Sequence, residues 1–410
     1  MTANTLFIVI LVIFIADYLF GRYIAFLNVK NSKKPIPELL GDIYDTEKYV
    51  KQQAYFRTNS RFGMLTDTFS SVLMLLMLLF GGFVWLDNVV TCLNLPEEFT
   101  AILFFGIIYF ASDILSLPFE IYDTFVIEQR FSFNMITPKV FVLDKLKGYL
   151  LTILIGGGML YLIVWIYLLT PAYFWLLAWA VTTFFSLFMS LFYSDLIVPL
   201  FNRQTPLPDG ELRDAIENFA NKVNFSLKNI YVIDGSKRTT KANAYFTGFW
   251  GKKRVVLYDT LIQTMTSEEI VAVLSHEIGH YKHRDTLKSM AIMLPSNLLV
   301  FVLLGLILKY DIFAQALGSE VSSFHINILS FGILYTPISM LLGIFGNILS
   351  RKHEYAADNF AKQYDFGDQL ISSLKKLSAT SLSNLTPHPL AVFLQYSHPT
   401  LLQRISKLNN

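Results

Sequence analysis

Long apolar stretches recur along the chain at Thr5 to Ile24, Met64 to Leu86, Phe99 to Pro118, Tyr149 to Leu169, Tyr173 to Val198, Thr286 to Leu308 and Ile326 to Leu349. Each approaches or exceeds the roughly 20 residues that a helix needs to cross a bilayer, so the pattern predicts seven transmembrane spans. The pattern changes between the fifth and sixth. From Phe201 the chain turns polar at TPLPDG, shows helical spacing of apolar residues in GELRDAIENFANKVN, and reads as strands in NIYVIDG and KKRVVLYD. TSEEIVAVLSHEIGH then predicts a helix: Thr266 and Glu269 have capping-box spacing, and Ile270, Val273 and Leu274 supply an apolar face. After span seven, SRKHEYAADNFAKQYDFG keeps a helical period and sets Glu354 and Asp358 one turn apart. The expected fold class is a multi-span α-helical membrane protein carrying a small α/β unit. Its expected divisions are spans one to five with their loops in 1–200, an α/β segment in 201–285, spans six and seven in 286–349, and a helical segment in 350–410.

Composition agrees: 53% of residues are apolar and 16% charged, too apolar for a soluble chain of this length. The first span lacks the basic flank and small-residue cleavage site of a signal peptide, so it is expected to stay. Basic residues fix the expected orientation. The first loop carries Arg22, Lys30, Lys33, Lys34, Lys48, Lys51, Arg57 and Arg61, the third carries Arg130, Lys139, Lys145 and Lys147, and Asp87 to Glu98 between them has none. Basic loops stay cytoplasmic, which places the amino terminus outside and the carboxyl terminus and the HEIGH stretch inside. The net charge of +2 gives no case for nucleic acid, and the single cysteine, Cys92, excludes an intrachain disulfide framework or a thiolate-rich metal site. Asp67, Asp113, Glu120 and Asp195 fall in or at the ends of apolar spans, where an isolated charge is costly. They are either partners of Lys and Arg or residues of span faces that meet water.

The stretch VLSHEIGHYKH holds the candidate chemistry. His276 and His280 are four apart, so on a helix both imidazoles leave one face and can grip one Zn²⁺. Glu277 is turned off that face, within reach of a zinc-activated water whose proton it can take as a general base. Two histidines leave a catalytic zinc one protein ligand short. His283 shares the face, but three ligands on one straight helix would stretch over about 10 Å. Glu354 is therefore the preferred third ligand, with Asp358 as the acceptor for the free N–H of a zinc-bound imidazole. His353, one position from Glu354, is expected to point away.

HEIGH together with SRKHEYAADNFA over seven spans resembles the type I CAAX prenyl proteases, integral-membrane zinc metallopeptidases. The resemblance extends to TFVIEQRFSFNMITPKVFVLDKLKG before span four, NAYFTGF before the zinc helix, and YSHPTLLQRI near the carboxyl end. It implies a ring of seven spans around a large water-filled chamber, with a gluzincin-type catalytic domain at one end. It implies one zinc per chain on His276, His280 and Glu354, with Glu277 as base and Asp358 behind a ligand. Asn243, Ala244, Tyr245 and Phe246 would form a sheet edge that pairs with substrate. His398 and Arg404 would steady the scissile carbonyl and its oxyanion. Gly248, Arg130 and Asp144 would be structural. The implied partners are a bilayer and a lipid-modified peptide or protein, cut near its CaaX end, with the enzyme a monomer. The expected membrane is the inner membrane of a bacterium or the endoplasmic reticulum of a eukaryote. Two alternatives stand beside it: a membrane-protein quality-control zinc protease with unprenylated substrates, and a non-catalytic channel or scaffold with structural zinc.

Overall fold

The structure is a computed structural model that describes residues 1–227, 229–247 and 254–410. Among the described residues, seven helices are long and apolar enough to cross a membrane: Ala3–Asn31, Thr46–Leu79, Glu97–Glu128, Pro138–Leu169, Phe174–Phe201, Asp285–Ile307 and Phe324–Gln363. The expected number of spans is met, with longer helices at several ends. Span two begins at Thr46, where Asp45 caps the helix by accepting from the Lys48 N–H. Span four begins at Pro138, whose missing N–H costs nothing at the first helical position and whose neighbour Thr137 caps the Val140 N–H. One expectation fails. The stretch Met64 to Leu86 is not one helix, because Gly81 takes a left-handed conformation (φ 64°) and starts a separate short helix, Gly82–Thr91. Spans three and four carry π-helical turns at Asp123–Glu128 and Thr152–Gly157.

Only 6–17% of the most apolar window of each span is buried against the rest of the protein. Seven helices packed as a solid bundle would bury far more, so the spans are spread as a ring with lipid outside and open space within. The four acids singled out in the sequence have cationic partners: Asp67 meets Arg22, Asp113 and Glu120 share Lys145 at 2.7 Å each, and Asp195 meets Arg254. Asp67 nevertheless keeps over half its side chain exposed.

Each end of the ring carries further packed structure. At one, Leu6 and Ile10 of span one, Leu78 of span two, Phe104 of span three and Ile326 of span seven pack with Phe83, Leu86, Ala314 and Leu317 from two short helices. Asp87 and His325 are buried there and joined at 2.6 Å. At the other end sits the α/β unit, a four-stranded sheet in the order β1 (Gln204–Pro206), β2 (Asn229–Ile233), β4 (Arg254–Tyr258), β3 (Ala244–Thr247). Both predicted strands are present, although the first two residues of KKRVVLYD and Gly248 of NAYFTGF lie outside the described residues. β1 falls in a segment that reads as a turn in the sequence; it is a three-residue edge strand antiparallel to β2. β2 and β4 run parallel, and β3 lies antiparallel to β4 at the opposite edge.

The helix Glu211–Lys222 and the HExxH helix, Ser267–Lys282, pack on this sheet through Ile216, Phe219, Val255, Leu257, Ile270 and Leu274. Polar ties fix the unit to the membrane loops. Arg238 grips Asp144 with two nitrogens, Lys241 reaches Glu128 at 2.8 Å and Tyr55 at 3.0 Å, and Tyr44 donates to the Ser378 carbonyl. Asp144, expected to be structural, is thus one half of such a tie.

Candidate active site

The HExxH helix starts at the predicted capping box, with Thr266 accepting from the Glu269 N–H and Glu269 from the Thr266 N–H. Glu269 does more than cap. It is buried, and also binds Lys376 and Ser372 of the helix Gly367–Thr380 at 2.7 Å each. The helix then runs against span seven, whose polar end is a direct continuation of its apolar part in one 40-residue helix, Phe324–Gln363. Gly279 makes the crossing close: a Cβ there would meet the Ala357 Cα at 3.0 Å and the Phe360 Cβ at 3.1 Å. This proximity brings Glu354 to histidines more than seventy positions earlier in the chain.

His276, His280 and Glu354 converge, with one ligand atom from each within 4.8 Å of the others. The two Nε2 atoms lie 3.2 Å apart, His280 Nε2 is 3.3 Å from Glu354 Oε1, and His276 Nε2 is 3.5 Å from Glu354 Oε2. Ligands held tetrahedrally at zinc's usual bond lengths are separated by about 3.3–3.6 Å, so contacts of this length, shared between the two Glu354 oxygens, are compatible with a zinc ion between the three side chains. Glu354 Oε2 is buried and accepts no hydrogen bond among the described residues, with Arg404 Nη1 at 3.3 Å but not aligned to donate. An orphaned buried carboxylate oxygen is costly, and a cation at the centre would satisfy it.

The groups behind the ligands set their direction. Asp358 lies 2.8 Å from His276 Nδ1, and Asp285 lies 3.1 Å from His280 Nδ1. A carboxylate only accepts, so a proton on each Nδ1 satisfies it and leaves Nε2 free to turn a lone pair to the centre, although Arg404 Nη2 also stands 3.3 Å from His276 Nδ1. Arg404 grips Asp358 with Nε at 2.9 Å and Nη2 at 2.6 Å. Its guanidinium is buried, yet its pKa is raised: burial opposes the charge, but the hydrogen bonds and charge of Asp358 and the charge of Glu354 outweigh it. Burial likewise pulls His280 down, while Glu354 and Asp285 more than compensate and raise it to about 8 in the metal-free site. His398 is raised chiefly by its hydrogen bond to Glu354 Oε1, at 3.0 Å. Its ring is otherwise open, with 65% of the side chain exposed.

Glu277 is half-buried one position from His276, and its charge is felt by both His280 and Arg404. The residues expected at the site from the helix, span seven and the carboxyl-terminal segment are therefore brought together. Asn243 to Phe246 occupy the sheet edge and the turn before it. Phe246 packs on Phe225, Tyr245 reaches Ser194 of span five at 3.4 Å, and the Asn243 side-chain oxygen caps the Ala244 N–H.

Two histidines differ from or refine the expectation. His283, the alternative ligand, caps the end of its helix with its ring against Phe360. His353, expected to point away, is buried with Nε2 3.5 Å from Asp285 Oδ1, because residues one apart on a helix diverge by about 100° and a second buried group fills that direction. Asp285 itself is missed in the sequence. An acid at the head of an apolar helix looks like an ordinary complement to the helix dipole, so nothing singles it out.

Comparison with known proteins gives the same outline. Residues 25–203 match the family described as CAAX prenyl protease N-terminal, five membrane helices, and residues 206–410 match peptidase family M48. CAAX prenyl protease 1 of Saccharomyces cerevisiae is 33% identical, covering 96% of this chain and 93% of that protein. The CAAX prenyl protease 1 homolog of Homo sapiens is 32% identical, covering 91% and 88% respectively. The crystal structure of S. mikatae Ste24p superposes with a TM-score of 0.94 at 30% identity, over 99% of both chains.

Proposed function

The chain belongs to the CAAX prenyl protease branch of peptidase family M48 and is a multi-pass membrane metallopeptidase, and on that premise we propose how its site works and on what. The metal is zinc, one per chain, held by His276, His280 and Glu354. The observation that carries this reading is the convergence of two imidazole nitrogens on a buried carboxylate, one of whose oxygens accepts no hydrogen bond. Bound there, zinc would acidify a water and polarise a substrate carbonyl.

The chain's own residues supply the rest. Glu277 accepts a proton from the attacking water and returns it to the leaving amine nitrogen. His398, hydrogen-bonded through Nδ1 and open on its other edge, steadies the carbonyl oxygen as charge develops there. Arg404 was expected to share that task. Its guanidinium is taken up by Asp358 and Glu354, which favours a positioning role: it keeps both carboxylates ionised and in place. The substrate lies extended along β3, gaining main-chain hydrogen bonds at the free sheet edge while side-chain contacts select the sequence.

The substrate is a prenylated protein or peptide, cleaved near its CaaX end, and the site faces the cytoplasm. A lipid-modified substrate accounts for a protease whose ligands stand on the helix that leads into span six and on the end of span seven. The expected units are the five amino-terminal spans, the α/β segment, spans six and seven, and the closing helices. The test compares a farnesylated peptide with its unprenylated twin on wild type and Glu277→Gln. Wild type should prefer the farnesylated peptide. Glu277→Gln should keep its zinc, measured by metal analysis, and lose hydrolysis by at least about 100-fold. Equal rates on the twins would favour a quality-control protease, and unchanged hydrolysis in the variant would remove Glu277 from the mechanism.

A further inference from the structure

We infer that Asp285 is the positioning carboxylate of His280, the counterpart for the second histidine of what Asp358 does for the first. The inference rests on the metallopeptidase reading above. Its geometry is direct: Asp285 Oδ2 lies 3.1 Å from His280 Nδ1, as Asp358 Oδ1 lies 2.8 Å from His276 Nδ1. Both carboxylates are buried. With Nδ1–H donated to Asp285, the imidazole has one orientation and one tautomer, and Nε2 is left for the metal.

The backbone is shaped for this contact. The HExxH helix ends at Lys282, and span six starts at Asp285. Between them Arg284 is held at φ 57°, ψ 37°, a left-handed conformation that a residue with a long side chain adopts at a cost. That turn folds the first residue of span six back onto a histidine five positions earlier. A helix-dipole residue would need neither burial nor a strained link, since it acts from an exposed first turn.

Asp285 also has Lys288 Nζ at 3.1 Å and His353 Nε2 at 3.5 Å. Span six therefore supplies the support of one histidine, and span seven supplies the support of the other together with the carboxylate ligand. The metal site reports on how these two spans sit together, and zinc affinity falls when either support is removed.

The experiment measures zinc affinity of the full-length protein in detergent by competition with a chelator at fixed pH, with melting of the metal-free form as a control. Asp285→Ala should weaken zinc binding roughly 10–100-fold. Asp285→Asn, whose amide oxygen can still accept from Nδ1–H, should recover part of the loss, and Lys288→Ala should bind zinc as wild type does. Wild-type affinity in Asp285→Ala would overturn the inference, as would an equal loss in Lys288→Ala, since that would make Asp285 a mere ion-pair partner. If the alanine variant fails to fold, Asp285→Asn decides: weaker binding than wild type supports the inference and unchanged binding overturns it. A wild-type protein that binds no zinc would overturn the metallopeptidase reading itself, a result distinct from either.

Discussion

At the scale of single residues, the site is built from carboxylates with different duties. Glu354 faces the centre, Asp358 and Asp285 hold imidazoles, and Glu269 holds the helix that carries them. Glu269 gives a testable pH dependence. Burial disfavours its charge, but the hydrogen bonds from Lys376, Ser372 and the Thr266 N–H outweigh burial and lower its pKa below the ordinary 4.5. A carboxylate depressed in the folded state stabilises the fold above its unfolded pKa, and that contribution is lost as pH falls through the folded value. Glu269→Gln should therefore destabilise the protein by about 1–2 kcal/mol at pH 7, a range kept low because Lys376 is partly exposed. The gap in thermal unfolding between variant and wild type should narrow as the pH is lowered below about 4.5; a constant gap would mean that capping alone, not charge, is what Glu269 supplies. At this scale His276, His280, Glu277, Glu354 and Asp358 are legible in the sequence because helical spacing alone puts them on defined faces. Asp285 is not, because its role depends on a turn at Arg284 that has no sequence signature.

At the scale of elements, the decisive contact is between the HExxH helix and the end of span seven, and Gly279 permits it. Adding a methyl there meets span-seven backbone at 3.0–3.2 Å, so the helices must part. Gly279→Ala is expected to cost about 1–3 kcal/mol of stability as an overpacked contact. Because the same shift draws Glu354 away from His276 and His280, zinc affinity should fall with it. Calorimetry and chelator competition on one preparation would check both, and a stability loss with zinc affinity intact would show that the helices part without opening the ligand set. The sheet edge is the other element that matters. Its apolar alternation is visible in NAYFTGF, but that β3 lies outermost, with an edge to offer a peptide, follows from the order β1-β2-β4-β3, which no local pattern encodes.

At the scale of the whole molecule, the ring of spans separates two differently built ends. Cys92 follows the short helix Gly82–Thr91, on the end opposite the metal site, and it is exposed and the only cysteine in the chain. In sealed vesicles of known sidedness, a membrane-impermeant thiol reagent should label it only from the face opposite the cytoplasm, and labelling from the cytoplasmic face would invert the proposed topology. The number of spans, the fold class, the metal motif and the family were all set by the sequence itself, since they depend on composition, on helical periodicity and on residues close together in the chain. Tertiary structure alone decided that span two breaks at Gly81, that span seven runs unbroken to Glu354, that the guanidinium of Arg404 pairs with carboxylates, and that Asp285 stands against His280. The physical reason is common to all four. Apolar pattern fixes which segments leave water, whereas a charged side chain's partner is fixed by which distant backbones approach closely enough to bury it, and that is a property of packing.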